Sequence, residues 1–222
     1  MLLAIVRAYA AGATIVAVSG AASALSGFMI AGGTTYEALR FGIASDMGRR
    51  GLVIQQGLGF FGGAIVDQNL SSARRLGRLI VACAEEGVRY GLGICEDSGV
   101  IANHDNSMLT VVGAHGVVLV EIDQIHTESQ GDDFIAPGTT LSFAMPGDLV
   151  DLNTGTIFRN EPVEHAKAAL SGLVEGVFDA CAARDADGDP DVSLESPIAL
   201  RFSALEAGRG ILDIESIRDH GG

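Results

Sequence analysis

The 222-residue sequence predicts an α/β fold, and three stretches carry that prediction. Ala13 to Val18 is a short apolar run, β-branched at Thr14, Ile15, Val16 and Val18 and bounded by Gly12 and Gly20; it reads as a buried strand. From Gly20 the composition turns to small helix-compatible residues, with Leu25, Phe28, Met29 and Ile30 giving a helix one bulky face. Further on, Leu70, Ala73, Leu76, Ile80 and Cys83 recur at helical spacing, so Leu70 to Glu86 should be an amphipathic helix stopped by Gly87. Short strands at Ala64 to Val66 and Val88 to Ile94 flank it. Finally, Ser98 to Glu121 alternates as two strands joined near Val112 to Gly116, and VVGAHGVVLVE is the strongest β-pattern in the chain.

The remaining elements follow in order. Met1 to Ala11 reads as a helix leading into the first strand, and residues 34 to 50 as helix and loop. Gly51 to Phe61, a glycine-punctuated apolar stretch, reads as strand and turn. Residues 123 to 137 form a polar loop, TLSFAM (140 to 145) a strand, and Pro146-Gly147-Asp148 a turn. Asn160-Glu161-Pro162 opens a helix to about Ala183, with Val163, Leu170, Val174, Val177 and Cys181 on its apolar face. The acids of DADGDPD (185 to 191) have calcium-loop spacing, but the glycine is misplaced and Pro190 interrupts the pattern; a solvated acidic linker fits better. The tail from Ser196 reads as the strand ALRFS, a turn and a final strand or helix. No internal repeat divides the chain, and 222 residues suit one domain.

Composition narrows the function classes. Charged residues are 19% and the hydrophobic set 48%, which is globular rather than disordered. A net charge of −14, with Lys167 the one lysine, supplies no phosphate-facing surface, so a nucleic-acid partner is not expected. Between Arg7 and Glu37 the chain carries no charge, long enough to span a bilayer, but five glycines break the run. It lacks the positive n-region of a secretory signal. Three widely spaced cysteines, Cys83, Cys95 and Cys181, do not make a disulfide framework, and the cytoplasm is the expected compartment.

The candidate chemistry starts at Ser19, where strand runs into helix. That geometry can present a hydroxyl beside the amides of a helix start, as an acyl-transfer nucleophile requires. The five residues are Ala17-Val18-Ser19-Gly20-Ala21, with alanines at both outer positions of the usual G-x-S-x-G elbow. A plain helix cap is the alternative for this serine. Arg74, Arg75 and Arg78 concentrate cations in an acidic chain; they read as a carboxylate-binding patch or as a solvated face paired with glutamates. Cys95 ends a strand and invites comparison with a cysteine nucleophile, but Asp97 stands where that elbow needs a small residue. Glu96 and Asp97 are candidates for orienting a base, or ordinary turn carboxylates.

Taken together, AVSGAASALSGFMI, GLGFFGGAIVDQNLSSARRLGRL, GLGICEDSGVIA and VVGAHGVVLVE resemble the cyanophycinase family. Its corresponding patterns are GTSAGASAMS-x-x-MI, GLGLL-x-GVIVDQHF-x-x-R-x-R-x-GRL, GIGIDE-x-TA and V-x-G-x-G-x-V-x-V-x-D. PGDLVDLNTG (146 to 155) also resembles the family's GDRFDL stretch, so the likeness covers most of residues 4 to 155. It implies a three-layer open, mostly parallel sheet flanked by helices, of the class I glutamine amidotransferase-like kind. It also implies a metal-free serine exopeptidase, acting as a homodimer without cofactor, that cuts cyanophycin to β-Asp-Arg dipeptides. By that resemblance Ser19 is the nucleophile, Gly20 N–H an oxyanion donor, and Glu96 the residue that orients the base. Asp67 and Gln68 precede the histidine position and, with Arg75 and Arg78, bind substrate.

Three departures follow. The histidine position is Asn69, and an amide cannot take a proton from serine near neutral pH. Ala73 stands at the motif's first arginine. The family's N-terminal βα units have no counterpart before Met1, so the sheet is expected to lack strands and to expose apolar surface. His104, His115 and His126 are other sources of a base, none at the matching place. Two readings therefore stand: a cyanophycinase-like serine peptidase, and a catalytically silent relative that binds an Asp/Arg-rich peptide or a partner chain.

Overall fold

The computed structural model describes residues 2–44, 48–122, 128–130, 133–160, 163–186, 198–205 and 208–217. The acidic linker after residue 186, the polar stretch 123–127 with His126, and the helix-opening pair 161–162 lie outside the described residues.

The largest sheet runs β12-β13-β9-β7-β4-β3, with β8 paired to β9. Its strands are β3 (Ala64–Gln68), β4 (Tyr90–Ile94), β7 (Val117–Glu121), β8 (Glu128–Gln130), β9 (Asp133–Ala144), β12 (Ile198–Ala204) and β13 (Arg209–Ile217). A four-stranded sheet, β11-β10-β6-β5, is built from β5 (Ser98–Ala102), β6 (Met108–Gly113), β10 (Leu149–Asp151) and β11 (Thr156–Phe158). A small ribbon pairs β1 (Phe28–Gly32) with β2 (Val53–Gln56). The helices are α1 (Leu2–Ala10), α2 (Gly20–Ala24), α3 (Thr35–Phe41), α4 (Leu76–Glu85) and α5 (Val163–Ala186).

The fold is α/β, but its sheets are mostly antiparallel. Among the named strand pairs only β3–β4 is parallel. A parallel pair needs a crossover of a dozen or so residues, and α4 supplies it between β3 and β4; β1 and β2 pair antiparallel although α3 lies between them. The links β5–β6 and β6–β7 are short enough for hairpin-like returns.

Strand alternation sorts the core into two faces. Ile65, Val118, Val120, Leu141 and Phe143 face α3, α4 and α5. Ala64, Val66, Leu92, Val117 and Leu119 face Leu109, Val111 and Val150 of the four-stranded sheet. The three layers are thus helices, sheet and sheet, not a sheet with helices on both sides. Gly91 and Gly93 point toward the helical layer. A Cβ at Gly91 would stand 2.8 Å from Cys83 Sγ, and one at Gly93 2.7 Å from Leu70 Cδ1. These glycines let the helical layer close on β4.

Several predicted elements change; among them, the expected loop 123–137 holds β8 and the start of β9. Residues 13–18 form no strand, and Val16 and Val18 are 81% and 75% exposed. Their β-branched composition suits an extended chain, but a strand exists only where a neighbour supplies a ladder, and none of the described strands does. The helix begun at Gly20 ends at Ala24, and Phe28, Met29 and Ile30 pair with β2 instead. Gly57 permits that ribbon, since a Cβ there would collide with the Ser26 carbonyl. The predicted Leu70-to-Glu86 helix starts late, at Leu76, because Asn69 and Arg74 take positive φ in a turn before it. Gly87, at φ 64°, ends it as expected.

Candidate active site

Ser19 sits at the entrance to α2 with φ 55° and ψ −132°. Non-glycine residues hold such angles only when their surroundings enforce them. The result is presentation: the hydroxyl makes no capping hydrogen bond, and the residue is exposed. Gly20 follows as the first residue of α2, with open space where a Cβ would stand.

Ser19 lines a cavity of about 880 Å³ together with Gln68, Asn69, Asp97 and His104. Five non-glycine described residues have positive φ, and four of them, Ser19, Asn69, Asp97 and Asn106, line this cavity. Asn and Asp tolerate the left-handed region, so Ser19 is the outlier that calls for a functional account. Apolar groups such as Val18, Phe61, Val66 and Ile94 complete the wall.

Residue 69 leaves β3 and residue 96 lies two places beyond β4. The strands are parallel neighbours with Gln68 opposite Ile94, so both loops emerge at one sheet edge. Leu70 N–H donates to the Ile94 carbonyl at 3.1 Å, carrying the pairing past the strand ends. Ser72 then donates twice to Glu96 Oε1, through its N–H at 2.9 Å and through its hydroxyl. Burial opposes charge on Glu96, but the Ser72 hydrogen bonds and nearby His115 outweigh it, holding the carboxyl below its ordinary range.

Asp67 and Arg78 are placed differently from the cavity residues. Asp67 is fully buried, and Arg78 is 7% exposed. Arg78 Nε and Nη2 donate to the two Asp67 carboxylate oxygens at 2.7 and 2.8 Å, while its Nη1 donates to the Gly33 carbonyl at 2.7 Å. Arg75 Nη1 donates to the Gln68 carbonyl at 2.8 Å and to Gln68 Oε1 at 2.9 Å. Arg74 lies 3.6 Å from Asp179 in an exposed ion pair. The three arginines thus point to three separate partners instead of forming one patch. Of the residues expected at the site, Ser19, Gln68 and Asn69 share the cavity wall; Asp67, Arg75 and Arg78 brace the turn behind it.

Cys95 touches the cavity but is nearly buried; burial, then Glu96, pushes its thiol up to about 12, which leaves little thiolate for a nucleophile. Ser72 escaped the sequence reading because a serine in a polar turn carries no signal of its own. The same holds for the wall formed by Tyr9, whose ring lies 5.5 Å from Phe60 and 5.7 Å from His104.

No family model matches the chain. A cyanophycinase of Trichormus variabilis and one of a Nostoc species are each 34% identical to it over 116 residues, 51% of this chain. The similarity is to cyanophycinases. It supports a cyanophycinase-like relationship. The match covers 36% of each cyanophycinase, so the chain spans about a third of these relatives' length. Among the described residues no helix is long and apolar enough to cross a membrane.

Proposed function

We propose that the chain is a cyanophycinase-like serine exopeptidase that releases β-Asp-Arg dipeptides from cyanophycin. The observation that carries this reading is the strained, exposed Ser19 at the head of α2, opening on a cavity shared with residue 69. Ser19 Oγ attacks the scissile carbonyl, and Gly20 N–H supports the oxyanion that develops. Glu96, held charged at the adjoining loop, orients the base. Asn69 cannot accept the serine proton, and His104 is the imidazole that the cavity wall offers instead. Gln68 meets the peptide directly, while Asp67, Arg75 and Arg78 hold Gln68 and its loop in place. The reading carries with it a homodimer in the cytoplasm, where the free thiols of Cys83, Cys95 and Cys181 would persist.

The test is dipeptide release from a cyanophycin suspension by the native protein, beside Ser19→Ala and His104→Ala. Release that vanishes with Ser19→Ala supports the reading, and its loss with His104→Ala identifies the base. No release from folded protein overturns hydrolysis. Asn69 favours the second reading in that case, a silent relative that binds the same polymer without cutting it, and pull-down on the suspension would show it.

A further inference from the structure

We propose that Ser72 is a positioning residue of this site: it clamps Glu96 and so fixes the turn that carries residue 69 against the end of β4. The proposal deepens the hydrolytic reading and rests on it for the catalytic consequence alone.

The geometry is specific. One residue supplies two donors, N–H and hydroxyl, to one oxygen, Glu96 Oε1. The turn from Asn69 to Arg74 has positive φ at both ends, and its internal bonds are few: Ala73 N–H donates to the Asn69 carbonyl at 3.3 Å and Arg74 N–H to the Ser71 carbonyl at 3.0 Å. Its ends are secured by Leu70 N–H to the Ile94 carbonyl, by Arg75 to Gln68, by Thr35 Oγ1 to the Arg74 carbonyl and by the Arg74–Asp179 ion pair. Among the described contacts, that of Ser72 reaches from the middle of the turn to a proposed functional side chain on the other loop. Glu96 itself is fastened at its backbone, where its carbonyl accepts from Ser98 Oγ at 3.1 Å. Ser98 Oγ also accepts from the His115 and Gly116 amides at 3.0 and 2.8 Å. Ser72 thus places two donors on the Glu96 carboxylate, beside a hydrogen bond from Glu96's own backbone. With Oε1 engaged by Ser72, the orientation of the carboxylate is fixed before any imidazole meets it.

The charged and titratable neighbours of Glu96 are His115, Arg75 and Cys95, and none of them is altered by changes at Ser72. The experiment reads the Glu96 carboxyl titration by NMR in the native chain and in Ser72→Ala, Ser72→Thr and Ser71→Ala. An upward shift in Ser72→Ala, restored in Ser72→Thr and absent in Ser71→Ala, is expected. The same substitutions are then placed in Asn69→His. There Ser72→Ala should lower kcat about ten- to a hundredfold with KM little changed, and Ser72→Thr should recover it. An unmoved Glu96 titration in Ser72→Ala overturns the proposal, as does a kcat loss that Ser72→Thr fails to recover. If Asn69→His is inert, the hydrolytic reading fails, while the titration still decides whether Ser72 holds Glu96.

Discussion

At the residue scale the proposed site turns on residue 69. Ser19 is presented to the cavity, Asn69 lines the same cavity, and Glu96 is held charged on the neighbouring loop. General-base assistance contributes about 10²- to 10⁴-fold to such reactions. Where His104 does not serve as base, Asn69→His is therefore expected to raise dipeptide release from cyanophycin by that order, with Ser19→Ala in the same background returning it to background; where His104 does serve, the gain is smaller. An unchanged rate in a folded Asn69→His protein would show that another part of the site is missing. Glu96 also contributes to stability with a definite sign. Its carboxyl is lowered in the folded state, so its contribution is present above the ordinary carboxylate range and is lost as pH falls through the lowered value. Ser72→Ala should flatten that part of the acid limb of a urea-midpoint profile, and an identical profile would deny the clamp. That Ser19 stands at a helix start and that residues 69 and 96 follow strands was legible from local patterns. Ser72 was not, because its partner lies 24 residues away across two loops.

At the element scale, the turn before α4 and the buried pair behind it decide where residues 68 to 72 stand. Asp67 ends β3 with its carboxylate out of water, and Arg78 on α4 satisfies both of its oxygens. Removing one partner leaves an unpaired buried charge. Asp67→Ala should cost about 3–5 kcal/mol in urea unfolding, far beyond a surface ion pair, and a loss under about 1 kcal/mol would show that the pair is not a strut. Gly93 tests the closeness of the layers: Gly93→Ala pushes a methyl to within 2.7 Å of Leu70 Cδ1 and 2.9 Å of Val118 Cγ1. A loss of about 1–3 kcal/mol is expected by the same measurement. Sequence periodicity found α4 and β4 to within a few residues because each buries a regular stripe. It placed the helix start at Leu70 because that leucine continues the helical spacing, yet Leu70 is buried by a turn folded under Gly93. It read 13–18 as a strand for a parallel reason: composition reports what a segment would bury, not whether a neighbouring strand is there to pair with it. The short β5–β6 connection was a sign of antiparallel pairing, and the family likeness pointed to a parallel sheet instead.

At the scale of the whole molecule, the balance of ionisable groups predicts how stability ends at high pH. Burial, with Asp67 nearby, raises the Cys83 thiol, and burial with Glu96 raises that of Cys95 to about 12. Burial, then Glu121, raises the Tyr90 phenol as well. All three groups sit on or beside the β3–β4 core that positions the site. Each keeps its proton in the folded chain at a pH where the unfolded chain releases it, so the native state binds more protons across the ordinary thiol and phenol ranges. Stability from these groups is complete below the unfolded thiol value and falls as pH rises beyond it. The net charge of −14 at neutral pH adds self-repulsion in the same direction, since every further deprotonation deepens it. Urea midpoints should therefore decline from pH 7.5 to 10, with far-UV and site-reporting probes moving together. Cys83→Ala removes one of the responsible groups. It should lower the midpoint at pH 7.5 through lost packing against Gly91 and Leu79, yet make the decline toward pH 10 shallower. A profile for Cys83→Ala that is merely displaced, with the native slope intact, would mean that this thiol does not carry the alkaline limb. The site would then lose its frame at high pH for a different reason.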